Sequence, residues 1–421
     1  MRSVSLLLSS LPILPFAAGR GISLPARAPA KQDGKAAYAS AMRRWGKRDV
    51  SSGLWVGNRL GEETLEAQSH ENDAFFTVDI EVGTPGQTLP VILDTGSSDT
   101  WVYWAMTDFS DLPGDEKPAY YDPYQSSTAR QITDAEWDVQ YADGSVASGP
   151  VALETISLSN LTLTSATLEL ANTSSILANS TSGILGLARS LRTSVYPHDV
   201  PTIKERIAGA GAHFLNIDLR AGSGGSYSLG DLDDSVEGIS WSEGGDEHWT
   251  VEVNVFYVEK GEGEGGQAVG NGSAAGFVGV VDTGTSLLFV PGLYVTAYWI
   301  GVPSARHDPV LDMWIFPCSG AESLPDVVLE IAGTGKGGAF EAVVPGAYLN
   351  FGSIEEGWVG GGVGGGGPAE EMCYGGLQSA DGIGVDAVLG DVFIKSQFIV
   401  LGLEDGKVGL AKKDLEGDAT P

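Results

Sequence analysis

A chain of 421 residues that is 42% hydrophobic and 9% aromatic carries enough apolar material for two ordinary cores, which excludes a single small module and a disordered chain. Its 59 glycines and 20 prolines, beside only 19% charged residues, suit a β-rich fold with many turns and few, short helices. With 55 acidic against 24 basic residues the formal charge is −31, so nucleic acids and anionic membranes, both polyanions, are excluded as expected partners.

The charge is unevenly placed. Residues 1–48 hold nine basic side chains and one acid, Asp33, which leaves 15 basic against 54 acidic residues from Asp49 onward, a net of −39. Arg2, the apolar stretch 4–16, too short to span a bilayer, and Ala17-Ala18-Gly19 read together as a signal peptide over residues 1–19. Residues 20–48 mix Pro, Ala and basic side chains and end at the dibasic pair Lys47-Arg48, the pattern of a propeptide cut in the secretory pathway. Export is therefore expected, to the extracellular space or a vacuole. No later stretch is apolar enough to cross a membrane, and the polar end Glu416–Pro421 excludes a hydrophobic tail anchor or lipid-anchor signal.

Along the acidic body, the apolar and alternating runs 75–82, 151–158, 249–258 and 327–331 predict strands, and 202–208 and 291–298 predict short helices. Val91-Ile92-Leu93-Asp94-Thr95-Gly96-Ser97-Ser98 returns 188 residues later as Gly279-Val280-Val281-Asp282-Thr283-Gly284-Thr285-Ser286. Each copy is followed by an apolar pair that ends in glycine, Ile184-Leu185-Gly186 and then Val388-Leu389-Gly390. This order of signals predicts two similar β lobes, residues 49–219 and 220–421, with a boundary near Arg220. Four acceptor sequons, at Asn160, Asn172, Asn179 and Asn271, agree with glycosylation during export. Gly261–Gly266 formally matches a phosphate-cradling glycine pattern, but no helix pattern follows it, and Glu262 and Glu264 would repel a phosphate. Cys318 and Cys373 are the only cysteines; in an exported protein they are expected to form one disulfide, closing a loop of about 55 residues and contributing about 3 to 4 kcal/mol. Two cysteines and five scattered histidines give no zinc-ligand spacing, so neither a metal nor another cofactor is expected.

The repeated Asp-Thr-Gly carries the chemistry. A glycine after the Thr lets the chain turn sharply, so that an Asp at a strand end presents its carboxylate at a loop tip instead of burying it. Two such loops facing each other bring two carboxylates together, and like charges at short range hold one proton between them. One member is then a base for a bound water and the other an acid toward a carbonyl oxygen. That combination hydrolyses a peptide bond without a covalent intermediate.

Over residues 75–412 these signals resemble a pepsin-type (family A1) aspartic protease, in particular the secreted fungal ones. Asp94-Thr-Gly-Ser-Ser-Asp-Thr-Trp101-Val and Asp282-Thr-Gly-Thr-Ser286 resemble the two active-site signatures, Leu389-Gly390-Asp391-Val392-Phe393-Ile394 resembles the late motif of the second lobe, and Ser323-Leu324-Pro325-Asp326 resembles a segment just after the second-lobe disulfide cysteine, here Cys318. The shared-proton carboxylate pair is this family's own, so its behaviour is applied here and not discovered. The resemblance implies an all-β, bilobal fold of two barrel-like lobes with a cleft between them, and a secreted endopeptidase of the aspartic type working at acidic pH. Asp94 and Asp282 would be the catalytic pair, Ser97 and Thr285 would bond their outer carboxylate oxygens, and Thr95 and Thr283 would interlock the loops beside Gly96 and Gly284. Val139–Ser145 resembles the flap hairpin, with Tyr141 closing over substrate and bonded to Trp101, Gly144 supplying the turn, and Asp143 and Ser145 beside the substrate. Asp143 would either pair with a substrate Lys or Arg or only cap the turn. Implied partners are extended polypeptides, the chain's own propeptide as inhibitor and pepstatin-like inhibitors, on a monomer. The alternative is a catalytically silent relative that keeps the fold as a binding or inhibitor protein. Three departures stand out: the first lobe lacks cysteines, Ala142 stands where the flap commonly has Gly, and Gly261–Gly276 and Gly357–Pro368 look like loop insertions.

Overall fold

The computed structural model describes residues 63–70, 73–109, 117–141, 145–174, 180–190, 192–233, 235–259, 267–268, 276–333, 338–354 and 371–415. The expected leader and propeptide, Asp143 and Gly144 of the flap tip, the sequons at Asn179 and Asn271, and nearly all of both glycine-rich insertions lie outside these residues.

The protein is mostly β, and the duplicated signals become duplicated topology. In the first half, Phe75–Val82 alternates buried Val78, Ile80 and Val82 with exposed Asp79 and Glu81, as a strand covered on one face must. It pairs antiparallel with Gln87–Asp94 (Thr77 opposite Ile92). Gln87–Asp94 in turn lies parallel to Gly183–Gly186, and Thr100–Tyr103 runs antiparallel to that short strand and parallel to Leu161–Ala171. The second half repeats the scheme. Phe277–Val281 pairs antiparallel with Thr250–Glu259 and parallel with Ala387–Leu389, while Leu288–Val290 runs antiparallel to Ala387–Leu389 and parallel to Leu377–Ser379. In both halves the apolar-apolar-Gly segment is thus threaded between the strand that ends at Asp and the strand that leaves it.

That threading explains the glycines of the repeat. A Cβ on Gly186 would stand 2.4 Å from the Asp99 carbonyl oxygen, and one on Gly390 would stand 2.2 Å from that of Thr285. Only hydrogen can occupy either position, because backbone from the Asp loop passes directly against it.

A sheet common to both halves joins them. Glu63–His70, Gly224–Gly230 and Phe214–Arg220 pair in succession, and Phe214–Arg220 then pairs with Gln397–Gly402 (Leu215 opposite Leu401, Ile217 opposite Ile399), which continues to Val408–Lys412 and Ser240–Ser242. Arg220 closes one strand of a hairpin in this sheet. A long apolar core runs without a break through residues of both halves.

The helices form where the sequence predicts them, each starting one residue later. The first spans Ile203–Gly209, because Thr202 stays extended as its cap: the Thr202 hydroxyl accepts from Glu205 N–H and Glu205 accepts from Thr202 N–H. The second spans Gly292–Ile300 behind extended Pro291. Cys318 and Cys373 are bonded, with Cα atoms 5.0 Å apart and 55 residues between them in sequence. Asn160 occupies an exposed turn between strands, where its amide donates to Glu63 at 3.0 Å, and Asn172 is half-buried.

Candidate active site

Both Asp-Thr-Gly segments leave their strands at equivalent places and meet. The contact is a reciprocal set of hydrogen bonds. Thr95 N–H donates to the Thr283 hydroxyl (3.1 Å) and Thr283 N–H to the Thr95 hydroxyl (3.0 Å). Each hydroxyl then donates to the opposite strand, Thr95 to the Val281 carbonyl (3.0 Å) and Thr283 to the Leu93 carbonyl (2.6 Å). All of these groups are buried, so a slip of one loop against the other would leave several buried polar atoms without partners. The loops are in this way registered to within the tolerance of a hydrogen bond, which is what two carboxylates acting on one water require.

Each carboxylate is held alike. Asp94 accepts from Gly96 N–H (2.8 Å) and from the Ser97 hydroxyl; Asp282 accepts from Gly284 N–H (2.9 Å) and from the Thr285 hydroxyl. Two features correct the expectation from sequence. Both carboxylates are wholly buried and do not project from exposed loop tips. Nor does Gly96 serve by a left-handed backbone conformation: its φ is not positive, and an ideal Cβ there would lie 2.4 Å from Asp282 Oδ1. The glycine makes room for the opposite carboxylate.

The two strands of the expected flap, Arg130–Gln140 and Val146–Leu158, pair antiparallel, and Tyr141 N–H donates to the Ser145 carbonyl at 2.8 Å where they converge. Trp101 Nε1–H donates to the Tyr141 hydroxyl at 2.6 Å. Trp101 also stacks on Trp137, 6.1 Å between ring centres, in a small apolar cluster that includes Tyr141 and Ile184, with Ile92 packed against it. Ile92 is two residues from Asp94, so the Trp101–Tyr141 cluster and one carboxylate share a wall.

Sequence reasoning missed a second pair of acids in the first half. Asp99 and Glu169 are buried facing one another, and Ser194 N–H donates to Asp99 at 2.6 Å. Asp99 is visible in the motif, but nothing in sequence ties it to Glu169, 70 residues on. Burial raises the Asp99 pKa against the lowering effect of Ser194. Burial first, and then the charge of Asp99, push Glu169 well above the ordinary carboxylate range. Groups whose folded pKa is raised contribute stability that is fully present below the unfolded values, near 4, and is lost as pH climbs through the folded values. Thermal melts of the protein from pH 4 to pH 8 should therefore show a falling midpoint, and Glu169→Gln should flatten that fall. A Glu169→Gln slope equal to wild type would refute this account.

The whole-chain comparison decides the family. The profile of the eukaryotic aspartyl protease family matches residues 75–413. The chain belongs to that family. It is similar to endothiapepsin of Cryphonectria parasitica, 33% identical over 378 residues that cover 87% of this chain and 81% of the relative, and to aspergillopepsin-1 of Aspergillus flavus, 30% identical over 388 residues that cover 89% and 86%. The crystal structure of an aspartic proteinase from Irpex lacteus shares the fold, with a TM-score of 0.63 at 19% identity over 86% of this chain and all of that one. The enzyme class of this aspartyl protease is aspartic-type endopeptidase. No helix among its described residues is long and apolar enough to cross a membrane.

Proposed function

We propose that this aspartyl protease is a secreted endopeptidase, made as a zymogen, that cleaves extended polypeptides at acidic pH with Asp94 and Asp282 as the reacting pair. The observation that carries the reading is the reciprocal lock between the two Asp-Thr-Gly loops, which sets two equivalently bonded carboxylates against each other.

A water bound between the carboxylates loses a proton to the ionised one while its oxygen bonds to the substrate carbonyl carbon. The carbonyl oxygen takes the proton of the other carboxyl group, which leaves a neutral gem-diol. Collapse of the diol returns a hydroxyl proton to a carboxylate, the amide nitrogen takes the proton held by the other, and the C–N bond breaks. The pair ends with one proton, as it began. Gly96 and Gly284 N–H groups and the Ser97 and Thr285 hydroxyls keep both carboxylates oriented through the cycle, and Tyr141, bonded to Trp101, covers the substrate.

A silent relative that only binds is disfavoured, because nothing in binding alone requires Asp94, Asp282, Ser97, Thr285 and Tyr141 all to be kept. Secretion rests on the leader pattern of residues 1–19 and the dibasic end of residues 20–48. The deciding assay is cleavage of a denatured protein near pH 4 with and without pepstatin. Pepstatin-sensitive cleavage is expected; a pure, folded mature body that cleaves nothing at any acid pH would instead be the binding relative.

A further inference from the structure

Two cations lie behind the Asp94 loop with no acid set against them. Arg189 follows Leu187 and Ala188, whose N–H groups donate to the Asp94 carbonyl (2.7 Å) and the Ser97 carbonyl (2.8 Å). Lys204 stands in the first turn of the helix Ile203–Gly209 and is 6% exposed. Among the described residues its ammonium group meets the Arg189 carbonyl, at 3.5 Å, and the face of Trp249, 5.8 Å from the ring centre, but no carboxylate.

The second half closes on both cations. A β-carbon on Gly406 would stand 2.3 Å from Arg189 Cζ, Nε and Nη2, and one on Gly244 would stand 3.6 Å from Nη1 and 2.0 Å from the Gly406 carbonyl oxygen. The guanidinium is therefore laid against glycine backbone where two loops of the second half touch. Nη1 is enclosed there and has no hydrogen-bond partner among the described residues. Trp249, in the same loop as Gly244, is wholly buried and is fixed by donating its Nε1–H to the Leu187 carbonyl (2.9 Å). Arg189 at Gly244 and Lys204 at Trp249 thus face one short stretch of chain.

Other buried or half-buried cations of this protein are paired. Lys395 faces Asp73 at 3.0 Å, and Lys413 and Arg220 both face Asp218, at 3.2 and 3.1 Å. Around Arg189 and Lys204 the acids have other partners. Glu205 accepts from Thr202 N–H (2.9 Å) at the start of the helix, and Asp405 faces Lys407 (3.5 Å). Glu247 meets Ser190 N–H through its backbone carbonyl (2.9 Å) and leaves its side chain exposed. Enclosed cations without a counter-charge are unfavourable. In keeping with this, burial, and the charge of Arg189 against the opposing one of Glu205, lower the Lys204 pKa.

We propose that Arg189 and Lys204 bind a small inorganic oxyanion, sulfate or phosphate, at the seam between the two halves. Arg189 supplies a planar N–H edge that suits the oxygens of such an anion, and Lys204 supplies a second charge-assisted hydrogen bond. The anion satisfies Nη1 and offsets both positive charges at once. It binds the folded chain and not the unfolded one, where these residues are far apart, so it stabilises the fold. This holds whichever residues carry the reaction.

The test is the thermal midpoint of the folded protein near pH 5 in rising millimolar sulfate, and separately in phosphate, with sodium chloride holding the ionic strength constant. The expected result is a rise that saturates in at least one of the two series. Arg189→Gln and Lys204→Met should each raise the half-saturating concentration by about ten- to hundredfold, the range of one charge-assisted hydrogen bond. Sulfate also stabilises proteins in general, by exclusion from their surface and without saturating. An equal rise in wild type and in the variants therefore overturns the site, and so does a wild-type midpoint that neither anion moves. If Lys204→Met fails to fold, the half-buried Arg189→Gln carries the comparison. Calorimetric titration of each anion into the wild type needs no variant at all, and the lack of a saturable heat from both would overturn the proposal by itself.

Discussion

Asp94→Asn and Asp282→Asn should each leave a folded protein and lower peptide cleavage near pH 4 by about 10² to 10⁴-fold, the range of positioned proton transfer. The fold should survive because Asn keeps the shape and one carbonyl oxygen, so Gly96 N–H or Gly284 N–H retains its acceptor. The Thr95–Thr283 lock does not involve the carboxylates at all. Activity should not survive, because a single carboxylate cannot take a proton from water and at the same step give one to the substrate. The two effects should also not add: the double variant should be no slower than either single one, as for groups that act as a unit. Kinetics on the three variants, with circular dichroism as the fold control, check this. Turnover within tenfold of wild type in either single variant would remove the pair from the mechanism.

Lys395→Met should be the most destabilising single change outside the site, by about 3 to 5 kcal/mol. Lys395 Nζ lies 3.0 Å from Asp73 Oδ2, and the two side chains are 2% and 1% exposed. Asp73 also accepts from Gly222 N–H at 2.8 Å and from the Ser69 hydroxyl, and its own φ of 63° puts it in the left-handed region that a β-carbon disfavours. The methionine fills most of the lysine's volume but leaves a buried carboxylate with no cation. The position magnifies the loss. Lys395 follows the short helix Asp391–Ile394, whose first N–H donates to the Thr285 carbonyl, and Asp73 precedes Ala74, whose carbonyl accepts from the Ser286 hydroxyl. The ion pair therefore ties the start of the first half to the loop that presents Asp282. Denaturant unfolding of Lys395→Met, Asp73→Asn and the double variant measures the coupling, and the double variant should recover a large part of the single loss because no lone charge is then buried. A Lys395→Met loss below about 1 kcal/mol would contradict a buried, uncompensated Asp73.

Much of this site is legible in the sequence because it is local and repeated. An apolar run ending in Asp-Thr-Gly, followed later by an apolar pair and Gly, states a strand, a turn and a threaded strand within a few residues, and backbone geometry allows few other readings of such a pattern. Its recurrence 188 residues later predicts a second lobe and a second carboxylate. Capping chemistry, also local, locates the helix after Thr202 to within one residue. Other features depend on which distant side chains the register brings together, and no local pattern encodes that. Gly96 is glycine because of the opposite lobe's carboxylate and not because of its own turn. Asp99 meets Glu169 only because Thr100–Tyr103 lies parallel to Leu161–Ala171, and Lys395 meets Asp73 across 322 residues. The sequence by itself determined the strands, the duplicated loops and the identity of the two acids, since those follow from short-range sterics and from the pattern of buried and exposed positions. Only the tertiary structure decided how deeply those acids are buried and which groups differ around them, because burial and electrostatic environment belong to the packed whole and not to any segment of it.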